Sequence, residues 1–243
     1  MTAATAEDRL PTHDHVPPVV VDRLPLYARA LARLASEGRL RINSSQLGEL
    51  LDIHPEQIRR DFSYLGHLGK RGLGYDVGLL EAELRRVLGA DKVWRTVLVG
   101  AGNLGMAILA NGQFAARGFP IEAAFDARRA RPGPAVHGVP LHPLQALPRF
   151  LSEHPVDVAI LAVPPASAQA LADVLVRGGV QAILNYAPVA IHVPEHILVR
   201  PIDPIGKLQE MAFYLHRRED ARLAKETKDV GASSVDQDGR AVR

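Results

Sequence analysis

A chain of 243 residues, 47% hydrophobic and 23% charged, has an ordinary soluble globular balance and is long enough to bury two modest cores. It contains no cysteine, which excludes disulfides, thiolate catalysis and Cys-ligated zinc. A net charge of +2 is too small to argue for a nucleic-acid partner by itself, so any basic patch has to be local.

Residues 1–18 carry three prolines and two histidines without periodic apolar residues, and read as a mobile tail. They show no basic segment followed by an apolar stretch, so no signal peptide is expected. No apolar run reaches the roughly 18 to 20 residues that span a bilayer, which points to the cytoplasm. Short helices follow. Leu24, Tyr27, Leu31 and Leu34 recur at helical spacing, with Pro25 tolerable only in the first turn. The stretch Asn43–Leu51 opens a second helix, which Ser44 or Ser45 can cap. A turn at Asp52–His54 leads to a third helix from Pro55 to about Leu65, with Ile58, Phe62 and Leu65 on one face.

A helix, a helix–turn–helix and a Gly-rich loop, in that order, suggest a winged helix whose third helix lies in a DNA major groove. Its polar face carries Glu56, Gln57, Arg59, Arg60 and Ser63, followed by Tyr64. Arginine forks onto guanine and glutamine onto adenine, the chemistry of direct readout. The loop Gly66–Tyr75 places Lys70 and Arg71, beside Gly72, at the tip of a tight turn anchored by Tyr75. A basic tip of that kind contacts phosphate or the minor groove. The candidate DNA-contacting residues are therefore Ser44, Ser45, Gln57, Arg59, Arg60, Ser63, Tyr64, Lys70, Arg71 and Gly72. Residues 54–75 hold four Lys/Arg against two Asp/Glu. The other reading of this segment is an interaction module with a solvated face, on which Arg60 and Asp61 are surface charges. His54 and His67 read as loop or helix-start residues, and nothing near them completes a metal site.

From Arg95 the pattern becomes β/α. The short β-rich runs are 95–100, 121–126, 156–163, 181–186 and 197–203, separated by helical or loop segments. Continuous apolar runs alternating with helices indicate a parallel sheet covered on both faces. Gly100-Ala101-Gly102-Asn103-Leu104-Gly105 is G-x-G-x-x-G between the first of these strands and a helical run, Met106–Ala116. Its glycines suit a tight turn, approach of a pyrophosphate and close helix packing, and the helix N-terminus faces the phosphate charge. A second strand ends in Asp126, 21 residues after Gly105. A carboxylate there accepts hydrogen bonds from ribose hydroxyls and repels a 2′-phosphate, which favours NADH/NAD+. Arg128 and Arg129 follow it, and if turned inward they could accept that phosphate. Val163, Pro164 and Asn185, at two later strand ends, are candidates to border the same crevice; the other reading is that the prolines there only end the strands.

Together these motifs closely resemble the redox-sensing transcriptional repressor Rex. The resemblance covers about residues 19–216 and rests on six segments: 23–27 (RLPLY), 57–64 (QIRRDFSY), 69–77 (GKRGLGYDV), 99–105 (VGAGNLG), 183–189 (ILNYAPV) and 213–215 (FYL). It implies an N-terminal winged-helix domain (19–90), then a Rossmann doubly wound parallel sheet (91–203), then a C-terminal helix (204–217) swapped between the partners of a homodimer. Residues 218–243 are expected to be mostly disordered. The resemblance further implies release from an A/T-rich inverted-repeat operator when NADH binds. In the family an Asp matching Asp203 exchanges partners between the two states. One partner is an Arg matching Arg29, and the other is a Tyr whose position is Asn111 here. Asp203 is thus both a switch residue and a candidate at the nucleotide site.

Two other classes of function remain in view. An oxidoreductase needs a placed acid or base and a substrate pocket. No lysine occurs between residues 100 and 204, and the histidines there fall in loops or at helix ends, so no catalytic residue is expected. A coenzyme A or nucleotide-binding scaffold would leave Arg59, Arg60, Lys70 and Arg71 without a role.

Overall fold

The structure, a computed structural model, describes residues 16–66, 69–70, 73–129, 131 and 133–235, with side chains as far as Arg222 except that of Lys70. The chain divides into two compact units. The first ends at Val93 and also takes in Gln113–Phe119; the second comprises Trp94–Gly112 and continues from Pro120.

The first unit begins with α1 (Pro18–Val21), a short turn inside the segment expected to follow a tail. Val20 on it is already part of the core. Then come α2 (Leu24–Ser36), β1 (Arg41–Ile42), α3 (Ser44–Leu51) and α4 (Pro55–Ser63). The hairpin β2 (Gly69–Lys70) and β3 (Gly74–Asp76) precedes α5 (Val77–Val87). The three strands form an antiparallel sheet in the order β1-β3-β2. Leu24, Tyr27, Leu31, Leu47, Ile58, Phe62, Leu80 and Leu84 close one core between α2, the α3–α4 pair and α5. Burying such side chains is worth about 1.5–3 kcal/mol each, which is how helices of eight to thirteen residues persist. The cap of α3 is Asn43, not Ser44 or Ser45. Its side chain accepts from the Gln46 N–H at 2.9 Å, while the Gln46 side chain accepts from the Asn43 N–H at 3.1 Å. This reciprocal pair satisfies two otherwise orphaned donors.

The second unit contains β4 (Thr96–Val99), α6 (Asn103–Ala110), β5 (Ile121–Asp126), β6 (Gly133–Val136), β7 (Val139–Pro143), α8 (Leu147–Glu153), β8 (Val158–Leu161), α9 (Pro165–Arg177), β9 (Ala182–Asn185), β10 (Leu198–Pro201) and α10 (Pro204–Val235). The helical run expected from Met106 to Ala116 is broken: α6 stops at Ala110, and a separate turn, α7 (Gln113–Ala116), belongs to the first unit. Asn111 leaves the helix with extended backbone just before Gly112, and both residue types disfavour helix interiors. The sheet order is β10-β9-β8-β4-β5-β7-β6, parallel except for the antiparallel edge strand β6. This is a Rossmann-like sheet, as expected, with the hairpin β6–β7 added to it. Its crevice lies where the carboxyl ends of β4, β5 and β8 meet, because the chain order reverses there. Val97, Val99, Phe125, Ala159, Leu161 and Ile183 fill the core beneath that crevice.

The C-terminal helix does not end near Arg217. Helix α10 continues to Val235; Ala, Leu, Glu, Lys and Arg, all good helix formers, dominate residues 217–226, and His216 lies 3.8 Å from Asp220 one turn away.

Candidate nucleic-acid interface and nucleotide cradle

The outer face of α4 is the first candidate site. Glu56, Gln57, Arg59, Arg60 and Ser63 line a shallow depression of about 400 Å³. The sequence reading put these five residues on one polar face, and the helix brings them together there. Arg59 is ion-paired with Glu56, and the Ser63 hydroxyl donates to the Arg60 carbonyl at 2.7 Å. Tyr64 caps the helix and is exposed, while Ser45 is exposed on α3. Ser44 is buried instead, its hydroxyl 3.3 Å from that of Tyr75. The β2–β3 register, Lys70 opposite Gly74, makes the hairpin expected of a wing, though Arg71 and Gly72 lie outside the described residues.

Asp61 is not a surface charge. It is fully buried and accepts four hydrogen bonds: two from Arg23 (both 2.7 Å), one from the Tyr27 hydroxyl (2.6 Å) and one from the Gln57 amide (2.7 Å). Burial works to raise its pKa, but these bonds outweigh it and hold the carboxyl below its usual range. The network ties α4 to α2 and fixes the amide of Gln57. Its signal was present in the sequence. Ile58, Asp61, Phe62 and Leu65 fall at i, i+3, i+4 and i+7, so residue 61 shares the buried face and needs a cation.

The glycine loop is the second site. Gly100 has φ +98°, and a Cβ there would overlap the Ala162 carbonyl and crowd Val163; a Cβ on Gly105 would overlap the Gly100 carbonyl. Those two glycines answer to the fold. Gly102 does not: a Cβ on it would meet only Arg128, at 3.8 Å, and its φ is an ordinary −72°. What its bare backbone leaves is open space at the N-terminus of α6, which has no side-chain cap. A phosphate fits both features, since the first N–H groups of a helix lack partners and favour anions. Asn103 and Leu104 form the exposed first turn.

Asp126 ends β5 and is only 7% exposed. Its Oδ2 accepts from the Ala101 N–H at 2.8 Å, and its Oδ1 accepts from the Arg128 N–H at 2.8 Å and Nε at 3.1 Å. Burial would raise its pKa, but the Arg128 and Ala101 donors prevail and keep it low, so it is ionised at neutral pH. A cleft of about 260 Å³ opens beside it, lined by Ala101, Met106, Asp126, Arg128, Arg129 and Leu141. Met106 and Leu141 supply an apolar wall suited to an adenine ring, and neither was among the residues singled out from sequence. Half-buried Val163 packs over Gly100, and Pro164 is the N-cap residue just before α9. Asn185 is turned inward. It accepts from the Ala187 N–H at 3.0 Å and donates to the Val189 carbonyl at 2.8 Å, bracing the loop after β9.

Of the switch residues, Arg29 is exposed on α2 and Asn111 is exposed at the end of α6. Asp203 caps α10, its Oδ1 accepting from the Gly206 N–H at 2.9 Å. His142 lies on strand β7, not in a loop as expected, and stacks with Phe125; His154, at the end of α8, stacks with Phe150, so both histidines serve as ring partners. Among the described residues no three His, Cys, Asp or Glu side chains gather into a metal site.

Two family models match the chain: a putative DNA-binding protein N-terminus over residues 15–63, and a CoA binding domain over residues 91–189. A redox-sensing transcriptional repressor Rex from Chloroflexus aggregans is 45% identical over 206 residues, covering 85% of this chain and 97% of that one. The chain belongs to the Rex family. A Rex from Streptomyces griseus is 40% identical over 217 residues, covering 89% of this chain and 85% of its own length. These relatives are redox-sensing transcriptional repressors by name. Three solved structures of RSP, a Rex-family repressor, are also similar. Its complex with β-NAD+ and operator DNA matches with a TM-score of 0.80 and 33% identity, covering 87% of this chain and 97% of RSP. Its complex with β-NADH matches with a TM-score of 0.78 and 31% identity, covering 86% and 99%.

Proposed function

We propose that this chain represses transcription as a homodimer on an A/T-rich inverted-repeat operator and lets go when NADH binds in the glycine-loop cleft. The observation that carries this reading is the presence in one chain of two sites. One is the arginine- and glutamine-bearing depression on α4; the other is a nucleotide cradle in which Gly102 is open for no packing reason. The relatives that bind NAD+, NADH and operator DNA support it.

In this reading the first unit holds the operator. Arg59 and Arg60 read base edges, while Ser45, Ser63 and Tyr64 lie where phosphate contacts are made; the wing residues Lys70, Arg71 and Gly72 take the adjoining groove. Ser44, being buried, acts by holding Tyr75 under the hairpin. The second unit holds the dinucleotide. Its pyrophosphate lies over Gly100–Gly105 and the start of α6, its adenosine ribose lies against Asp126, and its nicotinamide lies toward Val163, Pro164 and the loop that Asn185 braces. The nicotinamide supplies a ring whose charge changes on reduction, and the protein's part is to bind one form better in one dimer geometry. The helix α10, seated between the partner's two units, carries Asp203 to Arg29 in one state and toward Asn111 in the other. We place the protein in the cytoplasm with its operator; among the described residues no helix is long and apolar enough to cross a membrane.

Fluorescence anisotropy on a labelled inverted repeat tests this directly. Release by NADH and not by NAD+ is the expected result. Tight binding that NADH leaves intact would mean that Asn111 does not support the switch, and failure to bind any promoter fragment would remove the repressor reading. Arg59→Ala is expected to weaken specific binding about tenfold and relax base preference, and Arg71→Ala to weaken binding to all sequences and flatten its salt dependence. Because Asp203 also caps a helix, Asp203→Asn is a cleaner probe than Asp203→Ala. It keeps a capping oxygen, removes the charge, and should bind NADH yet stay on DNA.

A further inference from the structure

A strand-end carboxylate ordinarily turns away a phosphorylated ribose, because it accepts from the free 2′-hydroxyl but repels a 2′-phosphate, which has no proton to donate to it. Here that carboxylate is already covered. The Arg128 guanidinium lies across it, with Nε 3.1 Å from Oδ1 and Nη2 3.3 Å from Oδ2, and Nη2 also donates to the Ala101 carbonyl at 3.0 Å. The charge that would repel a 2′-phosphate is thus locally compensated. Arg129 lines the same cleft and folds toward Gly133, its Nη1 3.0 Å from where a Cβ on that glycine would sit. The cleft lining therefore holds one carboxylate against two guanidiniums.

The cover is loose. The Arg128 side chain is 71% exposed, so water and salt screen its pairing with Asp126. A ribose hydroxyl reaching Asp126 has to displace that guanidinium, and a displaced guanidinium at the mouth of the cleft has one strong partner to gain: a phosphate dianion on the ribose. Its planar donor fork suits two phosphate oxygens at once.

We propose that the adenosine end of this cleft accepts a 2′-phosphorylated dinucleotide, NADPH, as well as NADH, with Arg128 as the specificity-determining residue and Arg129 as its second. The proposal rests on the dinucleotide reading above.

Isothermal titration calorimetry of the full chain with NADH, NADPH and coenzyme A tests it. NADPH is expected to bind within about thirtyfold of NADH, the scale of one charge-assisted hydrogen bond. In Arg128→Ala the two should move in opposite directions, NADPH weaker and NADH tighter, so that their ratio rises about tenfold or more. Arg128→Lys should restore part of the NADPH binding, because it returns the charge without the fork. NADH binding with NADPH weaker than thirtyfold overturns the proposal and leaves the dinucleotide site standing. So does an equal loss of both in Arg128→Ala. Binding of coenzyme A but not NADPH would move the recognised phosphate to the 3′ position and overturn it too. If neither dinucleotide binds, the site reading falls and takes the proposal with it.

Discussion

Asp61 and Asp126 are both carboxylates held by an arginine, yet they do opposite work. Asp61 is sealed: its partner Arg23 sits at the N-cap of α2, 38 residues away, Tyr27 and Gln57 complete its shell, and no part of it meets solvent. Asp126 sits at a cleft mouth, and its partner is a mostly exposed side chain two residues along the chain. An ion pair in the first setting fixes one geometry, since removing either partner strands a buried charge. In the second setting the pair can be exchanged for a ligand at small cost. The same chemistry thus serves as a fastener under α4 and as a replaceable cover over the cradle.

The comparison breaks most sharply at Asp61. Asp61→Ala leaves Arg23, Tyr27 and Gln57 without their acceptor, and should cost about 3–5 kcal/mol in denaturant unfolding of the first unit. Asp126→Ala should instead cost function: NADH binding falls roughly tenfold to a hundredfold, the value of hydrogen bonds to a charged acceptor. Acid separates wild type from Asp61→Asn. The folded pKa of Asp61 is depressed, so its contribution is complete above the unfolded value of about 3.9 and fades as pH falls through the lower folded value. The stability gap between the two proteins should therefore be constant from neutral pH to about pH 5 and shrink below about pH 4. The smallest effect is expected for Arg128→Ala, whose thermal midpoint should stay at the wild-type value because the side chain is so exposed.

Much of this is legible in the sequence alone. The sheet strands followed from apolar runs, and the β5 boundaries, Ile121–Asp126, matched to the residue. The order of a winged helix and a glycine loop followed from spacing. What was not legible has common physical causes. The hairpin β6–β7 carries Pro134, Pro140, Pro143 and Gly133 among its strand residues, and these read as turn signals rather than as strands. The α3 cap went to Asn43 because the reciprocal bond with Gln46 outweighs a lone serine. The shielding of Asp126 depends on the rotamer of Arg128, which no periodicity encodes. Asp61 is the exception, since its helical position already put it inside.

The length of α10 carries a last consequence. Its 32 residues extend about 48 Å, and Ile205, Leu208, Met211 and Leu215 along it are more than half exposed in the single chain. Seated on a partner in the proposed dimer, those side chains would make each chain's stability a matter of mass action. Dilution would then act as a denaturant, and the melting temperature would climb with protein concentration. A cell that makes little of this repressor would hold less of it folded per molecule, so gene dosage would tune the sensor before any nucleotide does.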